Sequence, residues 1–205
     1  MNVVCLDLEG VLVPEIWIEF AKKTGIEELK LTTRDISDYD VLMKKRIAVL
    51  KERGLKLKDI QDVIAGMRPL DGAAEFAAAV RNETQLIILS DTFTQFAAPL
   101  MKQLNFPTIF CNELIADPDG SVTGYRLRIK DGKRRSVEAL RSVNFSVLAA
   151  GDSYNDLSMI RSADAGAFFR PPQSIAAENP DIPVFTGYKE FLAFIRDFLL
   201  RSEQK

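Results

Sequence analysis

Three segments of this 205-residue chain end in side chains that can do chemistry together. Val3-Val4-Cys5-Leu6 runs into Asp7, with Glu9 two residues on. Leu86-Ile87-Ile88-Leu89 runs into Ser90 and Asp91. Phe145 to Ala150 runs into Gly151-Asp152-Ser153-Tyr154-Asn155-Asp156. A basic group, Lys130, Lys133, Arg134 and Arg135, precedes the last of them. Clustered carboxylates repel one another unless a cation lies among them. An oxygen-only ligand set favours Mg²⁺, which needs only one or two carboxylates. Beside such a cation a carboxylate can attack phosphorus and form an aspartyl-phosphate. Asp7 is the candidate nucleophile. Glu9 lies past the strand end, where it can swing to the leaving side and exchange a proton. Ser90 and nearby backbone N–H groups can hold the transferring oxygens, and one of the basic residues can add charge. Taken singly, each residue has an ordinary explanation. Asp7 could be a polar strand end, Ser90 a helix cap, and 130–135 a solvated basic turn. Their weight comes from acting jointly.

Composition removes competing mechanisms. The chain has no histidine, so a Ser-His-Asp or Cys-His hydrolase, a His-ligated zinc and an imidazole base are all excluded. Lys and Arg total 27 against 29 Asp and Glu, a net charge of −2. That balance argues against a uniformly basic nucleic-acid surface. No apolar run is long enough to span a membrane, and the N-terminus lacks the basic start of a secretory signal. Cys5 and Cys111 lie far apart among apolar neighbours and read as buried small hydrophobes in a reducing, cytoplasmic compartment.

These groups must be positioned by strands whose ends meet. Residues 3–7, 86–90 and 145–150 read as strands buried on both faces, with weaker strands at 108–111 and 165–169. Helical spacing separates most of them, at 72–81, 93–104 (weakened by Pro99), 133–143 and 154–163. This alternation predicts an α/β fold, a doubly wound, mainly parallel sheet whose strand ends converge on one edge. Asp119-Gly120 predicts a small β-hairpin with arms 114–116 and 122–127. Residues 187–200 read as an amphipathic helix that packs on the core. Between the first two strands no convincing strand occurs, and helical patterns lie at 15–23, near 40–53 and at 58–66. The expected division is an α/β core of 1–14 and 70–205, with a helical subdomain of 15–69 standing over the strand ends.

In order, Asp7-Leu8-Glu9-Gly10-Val11-Leu12, Ile88-Leu89-Ser90-Asp91-Thr92, Lys133 and Gly151-Asp152-Ser153-Tyr154-Asn155-Asp156 resemble the four motifs of the haloacid dehalogenase superfamily. The resemblance covers nearly the whole chain. Four weak motifs in order, with a helical insertion after the first, make a strong signal. Val41-Leu42-Met43-Lys44-Lys45-Arg46-Ile47 is similar to the cap segment of its phosphoserine phosphatase branch. DLEGVLVPEIW, SDTF and GDSYND resemble the ThrH type of that branch, which can also pass the phosphoryl group to homoserine. The resemblance implies Asp7 as nucleophile and Glu9 as general acid and base. It implies Mg²⁺ on Asp7, the Glu9 carbonyl and Asp152, with Asp156 in support. Ser90, the Asp91 backbone and Lys133 would bind phosphate. Glu15 and Arg46 would clamp the ammonium and carboxylate of O-phosphoserine, with Asn155 as a further contact. The implied partners are therefore small molecules, O-phosphoserine and homoserine as acceptor, with no nucleic acid and no membrane. Two positions depart from the pattern: Glu9 stands where most relatives have Asp, and Asp91-Thr92 stand where the branch usually has two glycines.

Plainer readings stand beside these. Lys130 or Arg134 could be the reaching cation instead of Lys133. Glu15 could merely suit a helix N-terminus, Arg46 a solvated face, and Asn155 a turn. The enzyme could act on another small phosphomonoester. A receiver-like protein, in which Asp7 only accepts phosphate, needs neither Glu9 nor a helical insertion. A dehalogenase uses no metal, against which the Asp152/Asp156 pair speaks.

Overall fold

The computed structural model describes residues 1–33, 35–36 and 38–202. The chain runs β1 (Asn2–Leu6), α1 (Ile16–Thr24), a short helical turn Glu27–Lys30, α2 (Tyr39–Glu52), α3 (Leu57–Gly66) and α4 (Ala73–Glu83). It continues through β2 (Gln85–Phe93), α5 (Thr94–Gln103), β3 (Thr108–Ala116), β4 (Val122–Arg126), α6 (Gly132–Ser142) and β5 (Ser146–Gly151). Then follow α7 (Tyr154–Ser162), β6 (Ala165–Phe169), α8 (Gln173–Glu178), β7 (Val184–Phe185) and α9 (Tyr188–Ser202). None of the described helices is long and apolar enough to cross a membrane.

The strands form one sheet in the order β4-β3-β2-β1-β5-β6-β7. Only β3 and β4 pair antiparallel; the other pairs are parallel. β1 lies between β2 and β5, so Asp7, Ser90 and Asp152 come side by side at one edge of the sheet. The continuous apolar run of β1 follows from this central place, because a strand covered on both faces needs no polar alternation. Val4 and Leu6 face α4, α5 and α9, whereas Val3 and Cys5 face α6, α7 and α8. Crossover helices on both faces make the sheet doubly wound.

The predicted strands and the C-terminal helix occur within a few residues of the expected bounds, with one difference of kind. The expected short strand 108–111 and hairpin arm 114–116 are one strand, β3. Asn112 and Glu113 interrupt the apolar run, yet both find partners along the strand, Asn112 buried and Glu113 at the surface. Asn112 Oδ1 accepts from the Arg128 backbone N–H at 3.0 Å, and Glu113 pairs with Arg126 on β4. Cys5 is buried as expected, but Cys111 is only half-buried.

One apolar cluster runs without a break from the sheet into the helical insertion, taking in Trp17, Met43, Ile60 and Ile64. Trp17 packs edge-on to Phe96 of α5, with ring centroids 5.9 Å apart. The turn before α3 is fastened to the hairpin tip. Leu57 N–H donates to the Gly120 carbonyl at 2.9 Å, and Lys56 Nζ donates to the Asp119 carbonyl at 2.9 Å. Gly120 holds a positive φ of 86°, which suits glycine at that turn.

Behind the site, α9 closes the sheet with stacked rings. Phe191 lies 5.2 Å from Phe76 and 5.5 Å from Phe169, and Tyr188 lies 4.7 Å from Phe169. The Tyr188 hydroxyl donates to the Val11 carbonyl at 2.6 Å, tying α9 to the loop that carries Glu9. Phe191 is fully buried, so Phe191→Ala leaves a cavity at the centre of the stack. The expected loss of stability is about 3–5 kcal/mol. Urea denaturation measures it, and a loss below about 1 kcal/mol would show that the stack re-collapses.

Candidate active site

Asp7 is the first residue past β1, and its backbone N–H still donates to the Ala150 carbonyl of β5 at 3.0 Å. The carboxylate is therefore set by the sheet itself. Its Oδ1 accepts from the Leu8 N–H at 2.7 Å, and its Oδ2 meets Lys133 Nζ at 2.9 Å. Lys133 enters from the first turn of α6 and is buried. The same ammonium donates to Asp156 Oδ1 at 2.7 Å and lies 3.9 Å from Asp91 Oδ2. Lys133 is thus the reaching cation. Arg134 turns outward to Asp131 and Glu138.

Asp156 is fully buried in the first turn of α7. Its Oδ2 accepts from the backbone N–H groups of Asp152 and Ser153 at 3.0 and 3.1 Å. A carboxylate at a helix N-terminus satisfies orphan donors and faces the positive end of the helix dipole. The cluster permits no extra atom: a Cβ on Gly151 would fall 2.1 Å from Asp156 Cγ.

Asp7, Asp152 and Asp156 each offer an oxygen within 4.8 Å of the others. Of these, Asp7 and Asp156 pair with the one ammonium of Lys133, which also has Asp91 near. Burial pushes the Asp7 carboxyl well above the usual carboxylate range, and Asp156 and Asp152 push it further, against the pull of Lys133. Burial works against the Lys133 ammonium as well, but Asp156, Asp7 and Asp91 outweigh it and hold its pKa well above the ordinary value. An excess of oxygen-borne negative charge in a small volume fits a hard divalent cation.

Residues 8–13 form a tight turn, with Leu12 and Val13 N–H both donating to the Leu8 carbonyl. Gly10 sits within it at φ 76°. The turn aims Glu9 across the cavity, where its Oε2 accepts from the Ile16 N–H of α1 at 2.8 Å. Desolvation, then the nearby Glu15 charge, push the Glu9 carboxyl up to about 8. A carboxyl held up in this way keeps its proton to higher pH than an ordinary one, which suits it to giving a proton.

The cavity also takes in Glu15, Trp17, Tyr39, Leu42, Arg46, Ser90, Asp91 and Asn155. The structure therefore brings together nearly all the residues singled out from the sequence, and Asp156 lies just behind them. Arg46 is buried, contrary to a solvated face. Its guanidinium lies 4.6 Å over the Trp17 ring and donates to the Leu31 carbonyl at 2.9 Å. Burial lowers its pKa to about 10, with Tyr39, Glu9 and Glu15 pulling back upward. Its Nε is buried without a hydrogen-bond partner among the described residues. Ser90 does not cap α5; its Oγ accepts from the Thr92 N–H at 3.2 Å. Asn155 holds Asp91, donating to its Oδ2 at 3.0 Å.

The chain matches the family of haloacid dehalogenase-like hydrolases over residues 8–161. It belongs to that family, and it is an enzyme. A protein named phosphoserine phosphatase ThrH, from Pseudomonas aeruginosa, is 54% identical over 100% of this chain and 98% of its own length. One named phosphoserine phosphatase, from Pseudomonas syringae, is 55% identical over 93% of this chain and 80% of its own. Among solved structures, one described as a phospho-aspartyl intermediate analogue of phosphoserine phosphatase superposes with a TM-score of 0.76. It is 23% identical, and the match covers 94% of this chain and 98% of that one. At that identity the likeness supports the haloacid dehalogenase fold alone.

Reading by residue type missed two parts of this hydrolase site. Tyr39, whose hydroxyl donates to the Asp91 carbonyl at 3.0 Å, has a faint signal: it stands seven residues before Arg46, on the same helix face. Gly10 carries only its place in the first motif and its turn, which do not reveal the second need for it, across the sheet. A Cβ there would fall 2.4 Å from Asp152 Oδ2. Gly10→Ala should therefore lower stability by about 1–3 kcal/mol through overpacking, and displace Asp152. An unchanged urea midpoint would show that the carboxylate moves aside freely.

Proposed function

We propose that this chain is a Mg²⁺-dependent phosphoserine phosphatase that works through an aspartyl-phosphate on Asp7. We propose too that it passes the phosphoryl group from phosphoserine to homoserine. The observation that carries the reading is a single cavity with two unlike walls. One is the strand edge, with Asp7, Ser90, Lys133 and Asp152; the other is the helical insertion, with Glu15 and Arg46. The first suits a phosphoryl group, the second an amino acid's ammonium and carboxylate. The Arg46 Nε, without a partner among the described residues, is a buried donor in want of an anion. The names carried by the two Pseudomonas relatives point to the same substrate. In this reading 1–14 and 70–205 form the core, and 15–69 a cap over it. The free thiols of Cys5 and Cys111 accord with a cytoplasmic place.

The residues divide the work as follows. Arg46 and Glu15 hold the serine end, so the phosphoryl group points at the strand edge. Ser90, the Asp91 backbone and Lys133 hold its oxygens, with Asn155 steadying Asp91. An oxygen of Asp7 attacks phosphorus as the bond to the serine oxygen breaks, and Glu9 gives its proton to that oxygen. Once serine has left, the ionised Glu9 takes a proton from the incoming water or homoserine hydroxyl, whose oxygen attacks phosphorus and frees Asp7. Mg²⁺, held by Asp7, the Glu9 carbonyl and Asp152 with Asp156 behind, would offset charge on the phosphoryl oxygens.

Three outcomes test the reading. Asp7→Asn should fold normally yet lose turnover of O-phosphoserine, because an amide cannot attack phosphorus; near-normal phosphate release from the folded variant would rule out the covalent route. Arg46→Ala should raise KM for O-phosphoserine roughly 10–100-fold, the worth of a charge-assisted bond, and spare an aryl phosphate that lacks the carboxylate. Equal losses on both would place Arg46 outside amino-acid recognition. With homoserine at tens of millimolar, ³¹P NMR should show O-phosphohomoserine growing at the expense of inorganic phosphate. Phosphate alone would leave a phosphatase without the transfer.

A further inference from the structure

Tyr39 opens α2, and Met43 and Arg46 follow it at four and seven residues, on one stripe of the helix. Met43 and Arg46 are buried along that stripe, so it faces the core. The far end of α2 runs into the turn that is pinned to the hairpin by Leu57 and Lys56. The near end has two ties. The Tyr125 hydroxyl of β4 donates to Asp40 Oδ1 at 2.7 Å, out at the surface. The Tyr39 hydroxyl donates inward, to the Asp91 carbonyl at 3.0 Å, within the segment that carries Ser90. Tyr39 also lines two spaces at once: the inner cavity of about 70 Å³ that holds Asp7, and an outer cleft of about 540 Å³ reaching Tyr125, Leu127 and Tyr154. Its ring is part of the partition between them.

We infer that Tyr39 is a positioning residue, a latch whose hydroxyl fastens α2 to the Asp91 carbonyl and so sets the turn of the helix that places Arg46 over the cavity. A helix pinned at its far end, with its near end tied at the surface by Tyr125 and Asp40, can still roll about the line between those points. A further bond at the near end, on the same stripe as Arg46, removes that freedom. Only the hydroxyl is required. The Tyr39 ring packs edge-on to Tyr125 at 5.7 Å, and phenylalanine can keep that contact. The Asp91 carbonyl also accepts from Asn112 Nδ2 at 3.3 Å, so removing the tyrosine donor does not orphan a buried acceptor. Tyr39→Phe therefore tests the latch without threatening the fold.

The kinetic part of this inference rests on the phosphoserine reading, so the experiment has two arms. In the first, Tyr39→Phe should raise KM for O-phosphoserine roughly five- to tenfold, the loss of one hydrogen bond, while kcat moves less than about twofold. In an Arg46→Ala background the same substitution should move KM by less than about twofold, because the latch acts through Arg46. In the second arm, without any substrate, amide hydrogen exchange should quicken across 41–46 in Tyr39→Phe, and stay unchanged across 57–66, which the hairpin holds. Unchanged KM together with unchanged exchange would overturn the latch. So would a KM rise of equal size in the Arg46→Ala background. If the wild-type chain does not turn over O-phosphoserine, the functional reading fails, and the exchange arm alone still decides the latch.

Discussion

The architecture turns on one buried ammonium. Lys133 is held by Asp7 and Asp156, with Asp91 near, and those carboxylates arrive from β1, α7 and β2. Several buried charges of one sign cannot share a small volume without a counter-charge, and breaking such a group by removing one partner is strongly destabilising. The sheet topology follows from that requirement. β1 must lie between β2 and β5 so that the acidic strand ends converge, and α6 must begin at the same edge to bring in the lysine. The residual negative charge is what suits the edge to a divalent cation.

Much of this was legible in the sequence because the signals were local. Runs such as Val3-Val4-Cys5-Leu6 mark strands covered on both faces, and a polar residue at the end of each run marks the edge where they meet. The helical insertion was legible as the absence of alternation between Ile16 and Met67. Other features were opaque because they depend on partners far along the chain. β3 looked like two pieces, since the satisfaction of Asn112 by Arg128 has no sequence signature. Lys133 could not be separated from Lys130 and Arg134 by composition; burial separates it, and only the first turn of α6 fixes which side chain points inward. β7, two residues long, carries too little pattern to read.

The departures from the family pattern acquire partners in the structure. Asp91, where a glycine is usual, has its carboxylate held by Asn155 and its carbonyl held by Tyr39 and Asn112. The residue thus joins α7, α2 and β3 at one point beside the cavity. Glu9, one methylene longer than the usual aspartate, reaches far enough to accept from the Ile16 N–H of α1. Its length ties this side chain to α1, the helix that follows Glu15.

Trp17 lies beneath the Arg46 guanidinium and edge-on to both Phe20 and Phe96, and it is the single tryptophan of the chain. Indole emission responds to nearby charge and to solvent access. The buried Arg46 guanidinium, which lines the cavity, is therefore in van der Waals reach of the chain's only tryptophan. A change in charge at Arg46 should therefore register in the intrinsic fluorescence, so that the filling and emptying of the cavity could be timed by stopped flow on the unlabelled protein.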